Sequence, residues 1–401
     1  MRIVRCATPD GVRVGYLDGD LVVPVAPGEG PAGLEAVLEL AARAERPPAA
    51  AGEPFPLEGA RLLAPVEAPP SIRDFYAFEQ HASTARARRG LEMPPDWYQL
   101  PVFYFSNPAA VIGPGDPVAA PPRCAELDYE LEVACVLGAG ARNLRLQDVD
   151  GLVAGFMVMN DWSARDVQRR EMRLSMGPVK GKDFATSLGP CLVTRDEFAP
   201  AGLRQVPSAV MLGRVNGVEY SRGNLDGLWW SFAELLLYAA EAATLRPGDV
   251  LGSGTCGSGC ILELSLVHGG DAYPWLVTAD EFAPNGLRTV PSAAMVARVN
   301  GVEYTRSNLD TVWWSFAEML VYAAESASLH RGDVIGSGTC GSGCILELAL
   351  VHGADRYPFL TPGDEVELEV EGLGVLPNRV VAGDAPAFQP DPERTRPPMA
   401  Q

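Results

Sequence analysis

The sequence predicts a mixed, β-rich α+β fold, and three features predict it. Short runs alternate apolar and polar residues between Gly, Asp and Asn turns, as in the opening stretch MRIVRCATPDGVRVGYLDGDLVVPV. Amphipathic helical stretches separate such runs. The third feature is an internal duplication in which each copy contains both kinds of element.

In chain order, residues 1 to about 66 read as short strands, an Ala-rich helix over Gly33–Arg46, and a Pro-rich stretch, PPAAAGEPFP, that marks a boundary. A small N-terminal β domain over 1–66 is therefore expected, followed by a larger body over 67–383. The tail over 384–401, DAPAFQPDPERTRPPMAQ, is Pro-rich and polar and is expected to be disordered.

Within the body, 192–275 and 276–359 align without a gap at an offset of 84 residues. RVNGVEY recurs unchanged, WWSFAELLLYAAEAATL becomes WWSFAEMLVYAAESASL, and the twelve-residue string SGTCGSGCILEL stands at both Ser253–Leu264 and Ser337–Leu348. Most differences conserve volume, such as Leu251 against Ile335, which is the drift a packed interior tolerates. Two units are too few for a solenoid, so this is a duplicated segment. Each copy reads as a strand (Ala209–Val215; Ala293–Val299), an Asn-Gly turn, a second strand, an amphipathic helix (Leu225–Leu245; Leu309–Leu329), a Gly-Asp turn, and a strand ending in ILEL.

Composition narrows the function. A charge of -19, from 51 acidic against 32 basic residues, disfavours nucleic acid or an anionic membrane as partner and suits a small-molecule protein. No apolar run approaches the ~18 residues of a membrane span, and the N-terminus lacks the apolar core of a signal peptide. Eight cysteines in such a chain read as reduced thiols, so a cytoplasmic protein is expected. The Cys-x-x-x-Cys pairs of the repeated string are read as small buried thiols in preference to a four-thiolate zinc site.

Three stretches carry candidate chemistry. AELDYELEVACVLG (Ala125–Gly138) alternates strictly, so as a strand it sets Asp128, Glu130 and Glu132 on one face. That face is either solvated or a hard-cation site, since Mg²⁺, Mn²⁺ and Ca²⁺ take carboxylate oxygens. MNDWSARDVQRREM (Met159–Met172) follows an apolar strand and places Asp161, Arg165 and Gln168 at its exit, where loops carry chemistry, although Asp161 or Ser163 can equally cap a helix. RDFYAFEQHASTARARRG (Arg73–Gly90) holds His81; the other histidines, His268, His330 and His352, lie in the duplication. A histidine acts as a base only with a carboxylate near it, which position alone does not supply. The Gly-Lys-Asp at Gly181–Asp183 lacks the phosphate-loop pattern, so nucleotide binding is discounted.

Taken together, DFYxxxxH at Asp74–His81, LDYELE at Leu127–Glu132, MNDWSARDxQ at Met159–Gln168 with GKDFATSLGP at Gly181–Pro190, and SGT…LEL followed by PGDEVELEVEGLG resemble the fumarylacetoacetate hydrolase family. The resemblance implies a β-roll of mixed sheets, a homodimer, and a Mg²⁺ or Ca²⁺ centre, with Mn²⁺ also possible, held by Asp74, Glu130, Glu132 and Asp161. It implies His81 as general base and Lys182 as a catalytic donor. Tyr76, Arg89 (or Arg88), Tyr104, Arg165 and Gln168 fall at substrate-holding positions. The family's threonine and base-orienting carboxylate fall at Thr255 and Glu263 or at Thr339 and Glu347. Thr339 and Glu347 are expected to be the pair used, because a short link at Tyr357-Pro358 ties that copy to the closing strands and short connections join neighbours. The implied reaction is hydrolysis of a carbon–carbon bond in a 1,3-diketone or acylpyruvate-type 2-oxo acid. Decarboxylases, isomerases and hydratases of the same family form the alternative, and a binding protein left inactive by the duplication is another.

Overall fold

The structure is a computed structural model. It describes residues 1–25, 33–42, 48–87, 90–122, 124–175, 177–215, 218–263, 294–308, 311, 313–314, 316–324, 339–340, 342–353, 355–370 and 374–380. Arg88, Arg89, the 384–401 tail and the junction between the two repeat copies lie outside these residues. The chain divides into two compact units, one dominated by 1–280, the other formed by 281–325 and 329–385.

The first unit is built on one twelve-stranded mixed sheet. Its central strands are Arg2–Thr8, Thr186–Thr194, Val153–Asp161 and Leu131–Leu137, all antiparallel neighbours; Val250–Gly252 then pairs parallel with Ile72–Phe75, which pairs antiparallel with Phe103–Ser106. This agrees with the mixed, β-rich α+β expectation. The first 66 residues are not set apart from the rest by a gap in this sheet: Arg2 and Ile3 pair with Val193 and Leu192.

Alternation along Leu131–Leu137 shows why the sheet is buried on both faces. Val133, Cys135 and Leu137 enter one core with Phe156, Trp230 and Phe232, whereas Ala134 and Val136 enter a second with Ile3, Met159 and Leu192. A strand covered on both sides loses its solvated face, so Glu132 is buried; Glu130, just before the strand, and Asp128, in the separate pair of Leu127–Asp128 with Ser163–Ala164, are buried as well.

Within the repeated segment two elements differ from expectation, and the stretch Ala125–Gly138 is split between Leu127–Asp128 and Leu131–Leu137 of different sheets. The repeat helix runs only over Phe232–Ala239, because Ser231 and Glu234 form a reciprocal capping box that fixes its start, and Ala242 at φ 50° lies just beyond its end. The ILEL of the repeated string is not a strand. The chain turns helical at Ile261, and the second copy does the same over Ile345–His352. In the first copy the cause is visible: the Asp128 carboxylate accepts from the N–H groups of Ile261 (2.7 Å) and Leu262 (3.1 Å), so an acid from a distant strand satisfies the donors of a helix start.

The second unit holds a four-stranded antiparallel sheet in the order Val302–Asn308, Ala294–Val299, Glu365–Val370, Gly374–Arg379. The closing strands therefore pair with the second repeat copy. Trp229 and Trp230 of the first copy are buried against Trp97, Tyr98 and their neighbours, while their counterparts Trp313 and Trp314 are 87% and 59% exposed.

Candidate active site

The sheet brings four carboxylates together at the ends of adjacent strands. Register places Leu131 opposite Asn160 and Glu132 opposite Met159, so Glu130 arrives beside Asp161; on the other side Gly252 pairs with both Ala134 and Asp74. One oxygen from each of Asp74, Glu130, Glu132 and Asp161 lies within 4.8 Å of the others, all four side chains being buried. Sequence reasoning missed the residue that permits this approach. A Cβ on Gly252 would stand 2.5 Å from Asp74 Oδ1 and 3.0 Å from Glu132 Oε2, so only glycine lets carboxylates from both flanking strands converge. Gly252→Ala is expected to weaken Mg²⁺ affinity by ~10-fold or more, read by calorimetric titration; an unchanged affinity would show that the set does not hold the ion.

Two cations face these carboxylates. Lys182 donates to Glu130 and Asp161, and Arg165 reaches Glu130 at 2.8 Å while its Nε donates to Asp128 at 2.8 Å. Burial works against charge on Glu130, but Lys182 and Arg165 outweigh it and hold its pKa well below the usual carboxylate range. Burial also opposes the charge on Lys182, and Asp161 and Glu130 outweigh it, raising its pKa. Asp74 and Glu132 are less well matched: burial first, and then the neighbouring carboxylates, push both well above the usual range. Asp74 Oδ1 and Asp161 Oδ1 are buried without a hydrogen-bond partner. An all-oxygen donor set, short of positive charge and with free lone pairs, fits a hard divalent cation.

The sign of the pH effect follows. Carboxyl groups whose folded pKa is raised contribute stability at low pH that is lost as pH rises through those pKa values, and a bound cation relieves the repulsion. Adding Mg²⁺ is therefore expected to raise Tm more near neutral pH than near pH ~5, with about 2.7 kcal/mol available at a hundredfold excess over Kd. An equal or larger shift in acid would contradict it.

His81 lies in the helix Glu79–Ala87, buried, with Nδ1 3.3 Å from Glu263 Oε2. The expectation that the second repeat copy supplies this carboxylate is corrected here: the partner is Glu263, and Glu347 and Thr339 are exposed residues of the second unit. Thr255, the first-copy counterpart of Thr339, donates to Glu132 Oε1 at 3.3 Å, and the Gly254 N–H donates to Glu132 Oε2 at 3.2 Å. The physical reason is the Asp128 tie, which anchors Ile261 and Leu262 and so sets Glu263, one residue later, against the histidine.

The remaining expected residues gather around this centre, except Arg89, which is outside the described residues. Tyr104 donates to Asp161 and, with Lys182, Asn107 and Asp183, lines a cavity of about 280 Å³. The Tyr76 ring meets His81 edge-on at 5.7 Å. Gln168 accepts from Arg165 at 3.1 Å. Two further acids support the centre: Asp128, expected among the clustered carboxylates, and Glu171, which the sequence did not single out. Asp128 joins Arg165 to the turn that carries Glu263. Glu171 accepts from the N–H groups of Val179 (2.9 Å) and Gly181 (3.1 Å), holding the loop that presents Lys182. Neither belongs to the four-carboxylate set, and each is recognisable only by what it reaches in space.

A family model described as fumarylacetoacetate (FAA) hydrolase, C-terminal, matches residues 71–273 and again 272–381, and one described as Rv2993c-like, N-terminal, matches 1–65. The fumarylacetoacetase of Oryza sativa subsp. japonica is 29% identical over 260 residues, 52% of this chain and 60% of that one. The mitochondrial oxaloacetate tautomerase Fahd2a of Rattus norvegicus is 35% identical over 158 residues, 39% of this chain and 48% of that one. The match thus spans less than two thirds of either relative. A solved fumarylacetoacetate hydrolase from Exiguobacterium antarcticum shares the fold with a TM-score of 0.53 at 20% identity, over 95% of this chain and 99% of that one.

Proposed function

This chain belongs to the fumarylacetoacetate hydrolase family, and on that premise we propose that it is a divalent-metal-dependent hydrolase cleaving a carbon–carbon bond in an acylpyruvate-type 2-oxo acid or 1,3-diketone. The observation that carries the reading is the His81–Glu263 pair lying in the same unit as the four-carboxylate set. Asp74, Glu130, Glu132 and Asp161 would hold Mg²⁺, Ca²⁺ or Mn²⁺, which supplies Lewis-acid stabilisation of negative charge on substrate oxygens.

The chain's own residues do the rest. With Nδ1 facing Glu263, His81 offers Nε2 to water; Glu263 fixes that tautomer and stabilises the imidazolium once the proton has moved. Water so activated attacks one carbonyl, and the carbon–carbon bond breaks as an enolate leaves. Lys182, at the wall of the cavity beside Tyr104, donates to the oxyanion, an interaction worth about 3 kcal/mol. Arg165, tied to Asp128, Glu130 and Gln168, acts by positioning Glu130. Burial pushes the Tyr104 hydroxyl well up, so it serves as a hydrogen-bond donor.

The second reading, a tautomerase or decarboxylase, draws on the 35% identity to the rat tautomerase. The hydrolase reading is favoured because a base held by its own carboxylate suits the activation of water. All eight cysteines are unpaired thiols, and no helix among the described residues is long and apolar enough to cross a membrane; we place the protein in the cytoplasm as a homodimer acting on a small molecule. Turnover of an acylpyruvate should appear with Mg²⁺ and vanish with EDTA. Turnover that EDTA leaves intact, or none in either condition, removes the proposal, and the latter outcome favours a binding protein.

A further inference from the structure

Next to the four-carboxylate set, the turn after Val250–Gly252 brings together a second group of ligating atoms. His81, Cys260 and Glu263 each present one within 4.8 Å of the others, and all three residues are buried. The two groups differ in chemistry. The first is all oxygen, which suits a hard cation; the second combines nitrogen, sulfur and oxygen, which suits a borderline-soft one. We propose that His81, Cys260 and Glu263 form a second cation site, of the Zn²⁺ class, and that occupying it inhibits the enzyme by taking the histidine that activates water. The inhibitory half rests on the function given above for His81; the binding half does not.

Geometry supports the site. A tetrahedral zinc ion, ~2.1 Å from nitrogen and oxygen and ~2.3 Å from sulfur, holds its donor atoms about 3.4–3.6 Å apart. His81 Nδ1 and Glu263 Oε2 already stand 3.3 Å apart, so an ion replacing the proton between them needs only the Cys260 sulfur to close in. The other carboxylate oxygen, Glu263 Oε1, is buried without a hydrogen-bond partner on a residue 3% exposed. The same Asp128 bonds that orient Glu263 also fix the residue after Cys260. Three protein ligands leave a fourth position for water, as in open zinc sites.

The duplication provides a control. Cys344 and Glu347 repeat Cys260 and Glu263, but among the described residues no histidine joins them in such a group, and both are exposed.

The test uses the full chain with saturating Mg²⁺, titrated with Co²⁺ as a spectroscopic substitute for Zn²⁺ and assayed separately with Zn²⁺ during turnover. A thiolate-to-cobalt charge-transfer absorption is expected in the wild type and in Cys344→Ser, and its loss in Cys260→Ser. Zinc inhibition should resist added Mg²⁺, and Cys260→Ser should raise the half-inhibitory zinc concentration by ~10–100-fold or more. No thiolate band in the wild type, a band lost in Cys344→Ser instead, or inhibition that Mg²⁺ relieves and Cys260→Ser leaves unchanged overturns the proposal. The wild-type band requires no variant, and Cys260→Ala serves if the serine variant misfolds. A wild-type band lost in Cys260→Ser, with no turnover of any acylpyruvate, upholds the cation site and removes the hydrolase reading.

Discussion

Glu263→Gln is expected to lower turnover by about 10² or more, whereas Glu347→Gln leaves it within about twofold. Both substitutions change the same residue of the same repeated string, so the comparison isolates position from chemistry. Glu263 lies 3.3 Å from His81 and is buried; Glu347 is exposed in the other unit. Neutralising Glu263 removes the charge that stabilises the imidazolium and permits the wrong tautomer, the same loss a triad suffers without its acid. Steady-state turnover with Mg²⁺ checks it, and Mg²⁺ affinity should be nearly unchanged in both variants. Equal, small losses in both would remove the carboxylate from the mechanism.

The second large effect concerns Glu130. Glu130→Gln should abolish the Mg²⁺ response, because a carboxylate lost from a hard-cation site is not replaced charge for charge. It should also destabilise the protein, since Lys182 and Arg165 each lose one of two buried carboxylate partners and keep only Asp161 and Asp128. His81→Ala is the contrast: turnover falls by ~10² or more while bound metal stays the same. Metal content by elemental analysis and a denaturant melt separate the two variants. A Glu130→Gln protein that keeps both metal and turnover would remove the metal assignment.

Much of the site was legible in the sequence because its residues cluster in four short stretches whose order matches one family. The four carboxylates and Lys182 from those stretches lie together, and Tyr104, from outside them, donates to Asp161. The choice of repeat copy was not legible, and the reason is physical. Both copies carry the same threonine, cysteine and glutamate, so no local property separates them, and chain connectivity at Tyr357-Pro358 pointed to the wrong one. What selects the first copy is long-range: Val250–Gly252 fits between Leu131–Leu137 and Ile72–Phe75, and Asp128 holds the N–H groups of Ile261 and Leu262. Strand alternation set Asp128 on one face with Glu130 and Glu132, whereas its carboxylate turns to Arg165 and to the N–H groups of Ile261 and Leu262. The start of a helix at ILEL was hidden for the same reason, since an apolar run of that length fits either element until its capping partner is seen.

The strands of the second copy pair away from the four-carboxylate set. The closing strands Glu365–Val370 and Gly374–Arg379 extend the sheet of Ala294–Val299, while Asp74, Glu130, Glu132 and Asp161 lie in the first unit.

Hydrolysis is tested most directly by turning over an acylpyruvate with Mg²⁺ in oxygen-18 water and analysing the acid product by mass spectrometry. The account predicts one solvent oxygen in the carboxylate of the acid released by cleavage, beyond any exchange seen without enzyme. A product formed at the same rate without that label would mean that the carbonyl is never attacked by water, and would contradict it.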